Sequence, residues 1–186
     1  MPTLYKVLVA VGLSLSVVFP ARTAGEYPLT MNVDAQVKRG ATTVTSKLTI
    51  HVDRLMEEGN RTRVTDALKY SGYANFLNAL RPLAPVGTVQ LEDRSVNLRY
   101  AREQQDEKGR RLTLVADRPL FFLGGNPKKT REGYELTIVD VHLDAQGGVS
   151  GTMTGAARVK PTADGGVVLD DFAEAPVQLT GRVSRP

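Results

Sequence analysis

The chain contains no cysteine and no tryptophan. The first absence excludes disulfides, a thiolate metal site, a thiol nucleophile and a lipid-bearing cysteine. The second removes a usual aromatic platform for stacking sugars. Histidine is scarce too, with two residues in 186. Lysine and arginine form no block, and the six Tyr and five Phe are not interleaved with a basic patch. A formal charge of +4 therefore leaves no nucleic-acid footprint. The chain also lacks the G-x-S-x-G elbow, the H-E-x-x-H helix and the G-x-x-x-x-G-K phosphate loop. "GGNPKKT" has glycines and lysines without that spacing.

What is present begins with a leader. "MPTLYK" carries one positive charge, and Val7–Phe19 follows as 13 residues without a charge. Pro20 ends the run before the small, polar "ARTAG". Basic start, short apolar core and small-residue exit are the layout of a secretory signal peptide. A membrane-spanning helix needs about 20 apolar residues, more than this run provides. Residues 1–24 are thus expected to be removed, with Ala24 and Ala21 as the competing cleavage points. Residues 25–186 are then expected to form a single β-rich domain in a secreted or periplasmic location, large enough to hold together without disulfides.

Period-2 alternation dominates the rest. In "LTMNVDAQV", Leu29, Met31, Val33, Ala35 and Val37 face one way, opposite Thr30, Asn32, Asp34 and Gln36. After the turn "KRGAT", Leu48, Ile50 and Val52 continue the apolar face, so these two strands make a hairpin. "TDALKYSGYANFLNALRP" breaks the alternation: Tyr73, Phe76, Leu77 and Leu80 fall at i, i+3, i+4 and i+7. One helix is expected over about residues 65–80, ended before Pro82 and open to division at Gly72. Strands then resume through "GTVQLE", "SVNLRYARE", "RRLTLVADRPLFFL", "YELTIVDVHLDA", "GVSGTMTGAARVK", "GVVLDDF" and "PVQLTGRV". "DAQGG" is the strongest hairpin turn among the connections. The glycines of "GTMTG" mark a bend or a close backbone approach. The expected fold is mainly β: about nine antiparallel strands as a sandwich or closed barrel, with one helix.

Two groups of side chains invite a functional reading. His51 and Asp53 share the polar face of one strand, and Asp140, His142 and Asp144 share that of another. Same-face neighbours stand about 6.6–6.8 Å apart, so converging side chains could share an ion. Two histidines with carboxylates suit zinc, as a metal-binding protein or a metal-dependent hydrolase, provided the two strands are adjacent. Without that adjacency they are the solvated faces of ordinary strands. A Ser-His-Asp grouping has no local motif behind it. The second group is aromatic. Phe121 and Phe122, with Leu123, cannot all face one side of a strand, so that strand is either covered twice or supplies an aromatic lip. With Tyr73 and Phe76 from the helix they would ring the mouth of a barrel holding a small apolar ligand.

"YANFLNALRPLAPVGTVQL", "LVADRPLFFLGG", "GTMTGAARVKP" and "VVLDDFAEAPVQLTG" resemble a group of secreted bacterial single-domain β proteins without assigned function. The resemblance implies export and a single domain and transfers no site residue. The Gly-x-Trp start of lipocalins is missing. The function expected is a non-enzymatic binding or interaction module, taking a small apolar ligand or an envelope protein docked on an exposed sheet edge. The metal reading is the alternative. Neither nucleic acid nor stable membrane insertion after leader removal is expected.

Overall fold

The computed structural model describes residues 26–107, 109–124 and 130–184. The leader expected over residues 1–24 lies outside them. Chain order is β1 (Leu29–Arg39), β2 (Thr42–Val52), α1 (Glu58–Ser71), α2 (Tyr73–Leu80), β3 (Gly87–Leu91), β4 (Arg94–Asp106), β5 (Gly109–Ala116), β6 (Leu136–Leu143), β7 (Gly148–Pro161), β8 (Val167–Phe172) and β9 (Val177–Ser184).

Each strand pairs antiparallel with its neighbours in the order β6-β5-β4-β3-β2-β1-β9-β7-β8, and β6 pairs again with β7. That last pairing, from Leu136↔Ala157 to Leu143↔Val149, closes eight strands into a barrel and decides against the sandwich. β8 and β9 run in line along the same edge of β7, β8 beside Ala157–Pro161 and β9 beside Gly148–Met153. β8 is the strand left outside the closed ring.

Closure depends on residues without side chains. A Cβ on Gly151 would sit 2.1 Å from the Asp140 carbonyl oxygen, and one on Gly181 2.1 Å from that of Asn32. Both glycines occupy inward positions where the neighbouring strand bends across them, as in a tightly coiled barrel. The close approach expected in "GTMTG" is therefore real.

The interior is filled. Met31, Val33, Ala35, Leu48, Ile50, Val89, Leu98, Leu112, Leu114, Val139, Val141, Met153 and Leu179 form one buried cluster. Eight strands enclose a lumen that side chains can fill. β5 stops at Ala116, where an unbroken strand to Leu123 was expected. The following segment crosses the end formed by the starts of β4 and β6, and it drives Leu120 and Phe122 into the inner cluster. It is anchored by Leu120 N–H to the Gly155 carbonyl (2.9 Å) and to Thr137 Oγ1 (2.8 Å). Phe122 and Leu123 N–H donate to the two carboxylate oxygens of Glu174, at 2.9 and 3.1 Å. The opposite end holds charge: Arg110 Nη2 donates to Glu103 Oε2 at 2.8 Å, and the Tyr27 hydroxyl donates to the same oxygen at 2.7 Å.

The helical region is two helices where one was expected, because Gly72 takes φ 83° and ψ 179° and breaks the hydrogen-bond ladder. It also starts earlier, at Glu58. α1 buries only Val64, Thr65 and Leu68, too thin a stripe to stand out from its polar residues. Both helices pack on the outer barrel wall. Phe76, Leu77 and Leu80 join Tyr100, Val115, Ile138 and Ala157, the outward side chains of β4 to β7, in a second buried cluster.

Candidate functional site

β2 and β6 stand four strands apart whichever way the barrel is traversed. His51 and His142 therefore project outward from opposite walls, and the adjacency that zinc binding required does not exist. Every residue of that set is engaged locally instead. His51 Nδ1 is 2.8 Å from Thr30 Oγ1, its cross-strand neighbour, and Nε2 is 3.0 Å from Asp53 Oδ1. Asp140 receives a bidentate contact from Arg111, its Oδ1 accepting from Nε at 2.8 Å. Asp144 shapes the hairpin turn: its Oδ1 accepts Gln146 N–H at 2.9 Å and Gly148 N–H at 2.7 Å. Among the described residues no three His, Asp or Glu side chains are gathered as a metal site.

His142 has a neighbourhood with a catalytic look. Its Nδ1 lies 3.3 Å from Asp106 Oδ2 without a hydrogen bond between them, and Ser150 stands directly opposite it on β7. Activating a serine requires a hydrogen bond from hydroxyl to imidazole, with the third group orienting the ring. Ser150 makes no such bond and lies exposed on the open barrel wall.

The four aromatic residues also separate. Phe76 is fully buried in the outer cluster, and Tyr73 is fixed beside it, its hydroxyl accepting Glu135 N–H at 3.2 Å. Burial first, and the nearby Glu135 carboxylate second, push the Tyr73 hydroxyl well above its ordinary pKa. Phe122 is part of the barrel interior. Phe121 is partly exposed, at the plugged end. Tyr73 and Phe76 thus line the helix–barrel seam on the outer wall and do not ring an opening into the barrel.

Around Phe121 lies a recess of about 290 Å³, lined by Arg94, Ser95, Val96, Arg118, Pro119, Leu120 and Phe121. Its walls are mostly apolar, and its floor is held in place by the backbone of the plug. Arg94 Nη1 donates to the Phe121 carbonyl at 2.6 Å, and Thr137 Oγ1 donates to the Arg118 carbonyl at 2.9 Å. Larger depressions, of about 370 Å³ beside His142 and about 320 Å³ beside Lys47, lie on the barrel's outer wall, the second largely over polar strand residues. One of about 500 Å³ lies over Tyr27 and Val183, beside Glu26. Arg94 and Arg118 were invisible to sequence reasoning. Each sits beside a turn, and nothing in its spacing shows that the two share a recess.

Among the described residues an exposed sheet edge is nearly absent, because closure uses the edges of eight strands. β8 keeps one, guarded by Asp170 and Asp171, with Asp170 Oδ1 3.4 Å from Lys160 Nζ. No described helix is long and apolar enough to cross a membrane.

The fold defines the class: a small, closed, eight-stranded antiparallel barrel with a solid interior, one outlying strand and a helical pair on its wall. No protein-family model, curated protein or solved structure matches the chain.

Proposed function

We propose that this protein is an exported, non-enzymatic binding module that takes a small apolar ligand in the recess under Phe121. The packed interior carries this reading. Leu120 and Phe122 occupy the barrel end where a ligand would otherwise enter, so the barrel is a rigid stem and binding moves to its capped surface. At about 290 Å³ the recess lies near the lower limit of small-molecule sites, about 300–1,000 Å³, and suits a small molecule or one end of a longer one. Export is supported by the charge-free run Val7–Phe19, which follows a basic start and ends at Pro20.

Titration of the folded domain with the neutral probe N-phenyl-1-naphthylamine tests the reading. We expect saturable fluorescence enhancement, with affinity reduced about tenfold or more in Phe121→Ala, whose ring forms one wall. Phe121 is partly exposed, so its removal leaves the core intact. Absence of saturable binding, or equal binding by Phe121→Ala, would overturn the proposal.

A further inference from the structure

We infer that the ligand of this recess is an amphipathic anion: a short apolar body with one acidic head, as in a medium-chain fatty acid, its head held between Arg94 and Arg118. The inference rests on reading the recess as a ligand site and names the chemistry of its occupant.

The arginines of β4, β5 and the segment that follows β5 divide into two kinds. Arg99, Arg102, Arg110 and Arg111 each meet a carboxylate, from Asp117, Asp164, Glu103 and Asp140 respectively. Arg94 and Arg118 meet none among the described residues, although both line the same recess. Arg94 is preorganised, because one Nη1 N–H is spent on the Phe121 carbonyl while its other donors remain for a ligand. Arg118 has an exposed side chain on a backbone pinned by Thr137. Two like charges beside an apolar wall repel each other, and a carboxylate between them relieves that repulsion while accepting charge-assisted hydrogen bonds.

Other ligand classes fit less well. A cation would meet two guanidinium groups and no acid. A neutral apolar molecule leaves both arginines without a role. A polyanion calls for a row of bases along an extended track, and this recess is lined by two. Val96, Pro119, Leu120 and Phe121 supply contact for a short chain or ring.

Displacement of N-phenyl-1-naphthylamine by sodium decanoate, decanol and decyltrimethylammonium, each below its micellar concentration, provides the test. Decanoate should compete at about tenfold lower concentration than decanol, and the cation worst, as expected for one added charge-assisted contact. In Arg94→Gln and Arg118→Gln the ratio of decanoate to decanol affinity should fall toward one. Arg118 makes no side-chain hydrogen bond or ion pair to a described residue, so its variant reports on binding without disturbing the plug. Bound probe with equal competition by decanoate and decanol, or a ratio unaltered in both variants, overturns the inference and leaves the apolar recess standing. Failure of the probe itself to bind overturns both.

Discussion

Glu103 shows how a single residue can be committed by its surroundings. It stands opposite Leu112 on the inward face of β4, with its side chain only 8% exposed. A carboxylate there is tolerated because Arg110 donates twice to it, at 3.1 and 2.8 Å, and Tyr27 donates once. Removing one member of a buried pair strands the other, which is costlier than removing both. Glu103→Gln should therefore lower unfolding free energy by about 2–4 kcal/mol in urea titrations, and the double variant Glu103→Leu with Arg110→Leu should lose less than that. A double variant worse than the single would show that the pair is stabilising in its own right. Asp164 illustrates a milder commitment at the β7–β8 turn. The Thr162 hydroxyl, then the Arg102 guanidinium, hold its carboxyl well below the ordinary carboxylate range. It contributes stability above the usual carboxylate pKa that is lost as pH falls toward the depressed value.

At the scale of elements, alternation located the strands that are wetted on one face along much of their length. β1 displays this plainly, with Leu29, Met31, Val33 and Ala35 buried between more exposed neighbours. The same logic failed where both faces are covered. In β5 the run Leu112–Ala116 is buried residue by residue, the outer side lying under the helices, so periodicity could not say where the strand ended. "RPLFFL" read as more strand, whereas Pro119 and the contacts to Gly155 and Glu174 turn it into a plug. Glycine carried a second legible signal. Gly181→Ala would force its Cβ to within 2.1 Å of the Asn32 carbonyl oxygen and 2.6 Å of the Val33 Cα, both backbone atoms with little freedom to retreat. It should destabilise the barrel by about 2 kcal/mol or more, well beyond the half to one kcal/mol that a change of chain entropy accounts for. A thermal midpoint equal to that of the parent would mean that β9 and β1 can part without loss.

For the whole molecule, alkaline pH is the informative perturbation. Burial pushes the Tyr100 hydroxyl up to about 12, and burial followed by its hydrogen bond to Glu103 raises Tyr27 further. Tyr73 is raised in the same manner. In the unfolded chain each ionises near pH 10. Between about pH 10 and 12 the unfolded state has therefore released protons that the folded state retains, and stability falls as pH rises. The slope is about 1.4 kcal/mol per pH unit for each tyrosine that ionises only on unfolding. Urea midpoints at pH 9, 10 and 11 should decline with increasing steepness, and a flat profile would place these hydroxyls in contact with water.

The order of residues alone determined that this is a mainly β chain, which side chains face inward along β1, β2 and β6 and where the hairpins turn, because those properties depend on neighbours one to four positions apart. It could not determine which strands meet around the ring. His51 and His142 look alike as strand residues beside acids, and only the β6–β7 closure sets them on opposite walls. Arg94 and Arg118 look like unrelated turn residues, and only the crossing of the plug brings both to one recess. Strand order, closure and the pairing of distant charges are set by which surfaces can be buried together. That balance is struck over the whole chain and is not written in any local stretch.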